Sequence, residues 1–144
     1  MGGAIFHDGN LLPGDAFRCG EAGHMTLIPD GKPCYCGKTG CVDAYCSARL
    51  LSDLSGGRLE DFFLGLQQNN PDYRSVWDTY LKHLAVVINN LHMILDYDIV
   101  LGGYVGSFLS PWLDTIRRLV AEHNTFEDDG SFVKLCTYQT GAAA

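Results

Sequence analysis

Residues 24 to 41 read HMTLIPDGKPCYCGKTGC. One of the chain's five histidines and half of its six cysteines fall in this stretch. Cys34 and Cys36 are separated by a single residue, and a Gly-Lys-Thr-Gly turn leads from Cys36 to Cys41. A structural zinc ion takes four ligands in a tetrahedron, and thiolates plus one imidazole satisfy it. His24, Cys34, Cys36 and Cys41 supply that set. The Cys-x-Cys pair reaches one ion only if the backbone turns tightly, which Gly37 and Gly40 permit because glycine accepts positive φ. The ion would stitch a loop of little apolar content onto a strand that carries His24. Two plainer readings stand beside this one: a glycine-rich loop with free thiols, or a disulfide.

The chain has 144 residues, enough for one domain or one lobe of a larger one. Its formal net charge is -7. So acidic a surface does not attract phosphate backbones, which argues against direct DNA contact by this segment. No apolar run approaches the roughly 18 residues of a membrane span, and the N-terminus lacks the features of a signal peptide. Clustered thiols without a secretory signal point to the reduced cytoplasm, where they bind metal more often than they pair. Cys19, Cys46 and Cys136 lie among apolar residues and read as core positions.

Outward from the cysteine cluster, GGAIFHDGNLL predicts two strands, Gly3 to His7 and Asn10 to Leu12, joined by a hairpin turn at Asp-Gly-Asn. A third strand is expected near Met25 to Ile28, before the cysteine loop. A helix is expected from Val42 to Leu54, broken by Gly56-Gly57, and a short one from Leu59 to Leu66. The longest helix should run from Pro71 to Leu95, with proline in its first turn. Tyr73, Trp77, Tyr80, Leu84, Val87, Leu91 and Leu95 step by three or four along it and mark one buried face. YDIVLGG then reads as a buried strand, Pro111 to His123 as a helix and SFVKLCTY as a last strand. The sum is an α/β chain: three hairpin-connected strands, then helix, strand, helix, strand. The opening on Gly2-Gly3 and the end on TGAAA suggest a piece cut from a longer protein.

GEAGHMTLIPDGKPCYCGKTGCVDAYCS closely resembles the signature of the ROK family of repressors, open reading frames and sugar kinases. That signature is Glu-x-Gly-His, a spacer, then Cys-x-Cys-Gly-x-x-Gly-Cys-x-Glu. IVLGG resembles the family's nucleotide-side glycine motif, and TGAAA its C-terminal region. The resemblance implies the C-terminal lobe of an actin-like ATPase (ribonuclease H-like) fold, with structural zinc on His24, Cys34, Cys36 and Cys41. It also implies that Glu21 and His24 hydrogen-bond sugar hydroxyls, a carboxylate being a two-fold acceptor and a metal-bound imidazole being fixed in orientation. The zinc would shape the floor of a sugar pocket.

Two positions depart from the signature. Its last acidic sugar ligand, usually Glu, is Asp43 here, one methylene shorter. Asp43 reads equally as a sugar ligand and as a cap for the helix that starts nearby. The glycine run, commonly three, is Gly102-Gly103-Tyr104. Gly102 and Gly103 read either as a close approach to a nucleotide or as a simple strand-to-helix turn. The Asp-x-Gly-x-Thr phosphate loop and catalytic aspartate of the family's kinases do not occur in these residues. The resemblance therefore leads to an expected function as the sugar-sensing part of a ROK transcriptional regulator. A monosaccharide or derivative would be its effector, operator DNA would bind through an upstream helix-turn-helix, and the protein would be a homo-oligomer. The alternative is half of an ATP-dependent ROK sugar kinase.

Overall fold

The computed structural model describes residues 1–138. The chain divides into two compact units, residues 1–50 and 51–144. The TGAAA segment lies outside the described residues.

The first unit opens on a hairpin. β1 (Ile5–His7) pairs antiparallel with β2 (Asn10–Leu12), and Phe6 stands opposite Leu11. Asp8 and Gly9 both take positive φ at the turn, as a two-residue hairpin loop demands. The third predicted strand does not form. The amides of Leu27 and Ile28 donate to the Gly40 carbonyl, and the Val42 amide donates to Met25. The backbone groups that would have joined β2 are thus spent on the cysteine loop, leaving one isolated bridge, Thr26 to Cys41. The expected helix from Val42 to Leu54 is broken into α1 (Asp43–Cys46) and α2 (Ala48–Leu54). Ser47 is extended between them, and its hydroxyl accepts from the Leu50 amide, capping α2. Val42, Tyr45 and Cys46 form the small apolar centre of this unit.

The second unit holds the larger core. α3 (Leu59–Gln67) precedes α4 (Pro71–Leu95), whose bounds are those read from the sequence. The Asn70 side chain accepts from the amides of Asp72 and Tyr73, and Asp96 closes the helix in a left-handed conformation. Trp77, Tyr80, Leu84 and Val87 of the predicted stripe are buried. Leu81, Ala85, Ile88, Asn89 and His92 are buried as well, because α4 is covered on a wider arc than one stripe. β3 (Ile99–Leu101) pairs in parallel with β4 (Val133–Leu135). Between them the chain passes through α5 (Gly103–Gly106) and α6 (Leu113–Ala121), which packs on α4. A parallel pair needs such a crossover.

Trp77, fully buried, is the hub of this core. Its ring meets Phe63 edge-on at 5.1 Å, stacks on Tyr80 at 5.1 Å and meets Trp112 at 5.7 Å. At the far end of α4, His92 joins three segments. Its Nδ1 lies 2.8 Å from the Tyr97 carbonyl oxygen, its Nε2 lies 2.8 Å from Glu127 Oε2, and its ring stacks on Phe132. Among the described residues no helix is long and apolar enough to cross a membrane.

Trp77→Ala should destabilise the protein by roughly 3–5 kcal/mol through loss of burial and a cavity. Asn70→Ala should cost about 1 kcal/mol through loss of the cap. Equilibrium denaturant unfolding of the two variants checks both the size and the order of the effects.

Candidate metal centre and its surroundings

The cysteine loop is built by turns. The Cys34 amide donates to the Lys38 carbonyl at 2.8 Å, and the Gly37 amide returns to Cys34 at 3.0 Å. Gly37 and Gly40 both have positive φ, and a Cβ on Gly40 would collide with the Ile28 carbonyl. A second brace comes from α1, where the Tyr45 hydroxyl accepts from the Lys32 amide at 2.6 Å. His24 arrives from the other side, at the end of a single 3-10 turn, Ala22–His24.

These elements bring together His24, Cys34, Cys36 and Cys41, whose ligand atoms lie within 4.8 Å of one another. Cys36 and Cys41 sulfurs are 3.7 Å apart. A tetrahedron with Zn–S bonds of about 2.3 Å has an edge of roughly 3.8 Å, so this spacing is that of two thiolates on one ion. The donor set fits a structural metal.

Electrostatics inside the cluster favour a cation. Burial foremost, then the neighbouring Cys36 and Cys34, pushes the Cys41 thiol up to about 11. Cys36 goes the other way, down to about 7, chiefly through the backbone N–H of Lys38 and then the sulfur of Cys34. Three crowded sulfurs resist ionising together, and a divalent ion reverses that penalty. Outside the cluster, Cys46 is buried as expected, its thiol pushed up to about 12 by burial. Cys19 and Cys136 are only half-buried.

Tyr35, between the two nearest cysteines, was not singled out by sequence reasoning. Its hydroxyl oxygen lies 3.2 Å from His24 Nε2, and the two rings meet edge-on at 5.4 Å. The phenol is held above its ordinary pKa by desolvation, then by the negative charges of Asp43, Cys34, Glu21 and Cys36. Glu21 and Asp43 therefore both project their field onto this one hydroxyl. Glu21 is exposed and stands at the head of the 3-10 turn that carries His24. Asp43 lies in the first turn of α1 and pairs with the Met1 nitrogen. It does not cap that helix, whose N-cap is Val42. In the second unit, Gly102 is extended and Gly103 has positive φ, and together they turn β3 into α5. Tyr104 beyond them is exposed.

The ROK family model matches residues 1–143. The chain belongs to the ROK family. It is 51% identical over 145 residues to a glucokinase of Halalkalibacterium halodurans, covering 85% of this chain and 43% of that protein. It is 29% identical over 128 residues to an N-acetylmannosamine kinase of Salmonella typhi, covering 85% of this chain and 44% of that protein. Among solved structures, a ROK family transcriptional regulator, a homologue of the E. coli MLC protein, superposes with a TM-score of 0.76. That pair shares 23% identity over 93% of this chain and 38% of the regulator. The chain thus spans less than half the length of these relatives.

Protein purified without added metal should carry one zinc per chain by elemental analysis. Cys36→Ser should lose most of it and cost on the order of 3 kcal/mol, a quarter of the roughly 10–16 kcal/mol typical of structural zinc sites. Zinc displaces the Cys41 proton at any pH below about 11, so affinity should fall as pH falls. Below about 7 Cys36 also binds a proton, and the fall should steepen. Chelator competition between about pH 8 and pH 6 measures both slopes.

Proposed function

We propose that this chain is the C-terminal lobe of a two-lobed ROK protein and that it recognises a monosaccharide beside a structural zinc. The observation that supports the reading is that Glu21 heads the turn that brings His24 into the metal cluster, and that the Tyr35 hydroxyl, 3.2 Å from His24 Nε2, lies in the negative field of both Glu21 and Asp43. Carboxylates accept from sugar hydroxyls, and an imidazole fixed by metal through one nitrogen presents the other in a set direction. Zinc on His24, Cys34, Cys36 and Cys41 would hold the floor of the site without joining in chemistry. The missing contacts would come from the other lobe.

The whole protein is then a sugar-responsive regulator. Asp43, shorter than the family's usual glutamate, and Tyr104, where a third glycine is common, both weaken the kinase pattern. A sugar bound across two lobes favours their closed arrangement, and only that differential affinity can shift the equilibrium. Closure in a homo-oligomer would reposition upstream DNA-binding segments, altering operator affinity by roughly 1–3 kcal/mol. A second reading, half of a sugar kinase, is favoured by the similarity to the Halalkalibacterium halodurans glucokinase.

Glucose and N-acetylmannosamine, the sugars in the relatives' names, are the first candidates. Glu21→Gln in the full-length protein should weaken binding of the responding sugar by roughly tenfold to a hundredfold, the worth of a hydrogen bond to a charged group. Sugar-free operator binding should stay as in the wild type. Equal sugar affinity in both proteins, measured by calorimetry, would reject Glu21 as a ligand. Sugar-dependent ATP consumption by the wild type would decide for the kinase.

A further inference from the structure

We infer that Tyr35 is a built-in competitor at the sugar site, its hydroxyl holding the place on His24 that a sugar hydroxyl must take. The inference rests on the sugar-site reading above.

An imidazole has two ring nitrogens, and a metal ion consumes the lone pair of one. In His24 the Nε2 is engaged by the Tyr35 hydroxyl at 3.2 Å. With Nε2 so engaged, Nδ1 would hold the metal, and Nε2 would then carry the proton. Its N–H donates to the phenol oxygen. A phenol offers one O–H donor and acceptor lone pairs, the same inventory as a sugar hydroxyl. The hydroxyl also lies in the negative field of Asp43 and Glu21. Tyr35 thus meets His24 as a sugar hydroxyl would, within the field of two acidic groups.

The hold on the side chain is light. The backbone at Tyr35 is fixed, because Cys34 and Cys36 on either side both belong to the metal cluster and the loop is closed by the bonds to Lys38 and Gly37. The Tyr35 side chain itself is 77% exposed. Its contact with His24 is an edge-on ring and one hydrogen bond. Rotation about its side-chain bonds is enough to clear the site, with no movement of the metal loop. A sugar displaces the phenol rather than filling an open position.

The test is Tyr35→Phe in the full-length, zinc-loaded protein, titrated by calorimetry with D-glucose and with N-acetylmannosamine. The substitution keeps the ring and removes only the competing oxygen. Affinity for the sugar that binds should rise roughly twofold to tenfold, the net worth of one hydrogen bond. In nitrogen NMR, the His24 Nε2 proton should exchange with water faster than in the wild type, while zinc content stays at one per chain. Equal or weaker binding by the variant, with binding by the wild type intact, overturns the inference and leaves the sugar site standing. Loss of zinc from the variant also overturns it, by making Tyr35 a support of the metal loop. Binding of neither sugar to either protein overturns the sugar site and the inference together.

Discussion

Crowding of sulfur governs the first fifty residues. Cys36 and Cys41 approach to 3.7 Å, and an imidazole and a third sulfur stand within 4.8 Å of them. Such a group repels itself once its thiols ionise, and it holds together best around a cation. Everything nearby is arranged to permit the crowding. Gly37 and Gly40 make the backbone turn, Tyr45 ties Lys32 down, and Met25 to Ile28 spends its backbone bonds on the loop. The apolar centre of this unit is small, so a metal held by the cluster would add stability that burial alone does not supply.

The residues beyond Leu50 rest on a different kind of interaction. Trp77, Phe63, Tyr80 and Trp112 make a contiguous aromatic core, two of whose rings stand on α4. Aromatic packing of this sort holds its geometry through burial and ring contacts rather than through an ion. The contrast explains why the four residues of the candidate metal centre gather in the first unit. A loop fixed by a metal can present an exposed imidazole in a set direction, while a packed core admits one only with partners, as His92 has in Tyr97 and Glu127.

What could be read in the sequence follows from how local each signal is. The bounds of α4 were legible because Asn70, Pro71 and a long apolar period all act within the helix itself. The gathering of His24, Cys34, Cys36 and Cys41 was legible because three of the four are close in sequence. The third strand was misread because a strand is defined by its partner, and the partner of Met25 to Ile28 is Gly40 to Val42 rather than β2. The break at Ser47 was missed because the apolar pattern runs through it unchanged, although Ser before Ala-Arg-Leu is a capping signal. Asp43 as a helix cap gave way to Val42, since the helix begins one residue earlier than a capping aspartate requires. Tyr35 left no periodic trace at all. One available clue was its position between two ligands of one ion, which fixes its backbone and aims its ring at the cluster.

That clue has an energetic consequence for any ligand of the site. A site that must first be vacated binds with an apparent affinity reduced by the fraction of time it is free. If Tyr35 sits on His24 for half to nine-tenths of the time, the reduction is about twofold to tenfold. A reduction of this size leaves binding intact and shifts the sugar concentration at which half the sites fill. On the proposed reading, that concentration would be set by an exposed side chain that lies outside the buried core. The metal loop fixes where the hydroxyl stands, and the exposure of the ring fixes how readily it leaves. Adjusting the response would then require no change to Glu21, His24 or the cysteines, only to the residue between Cys34 and Cys36.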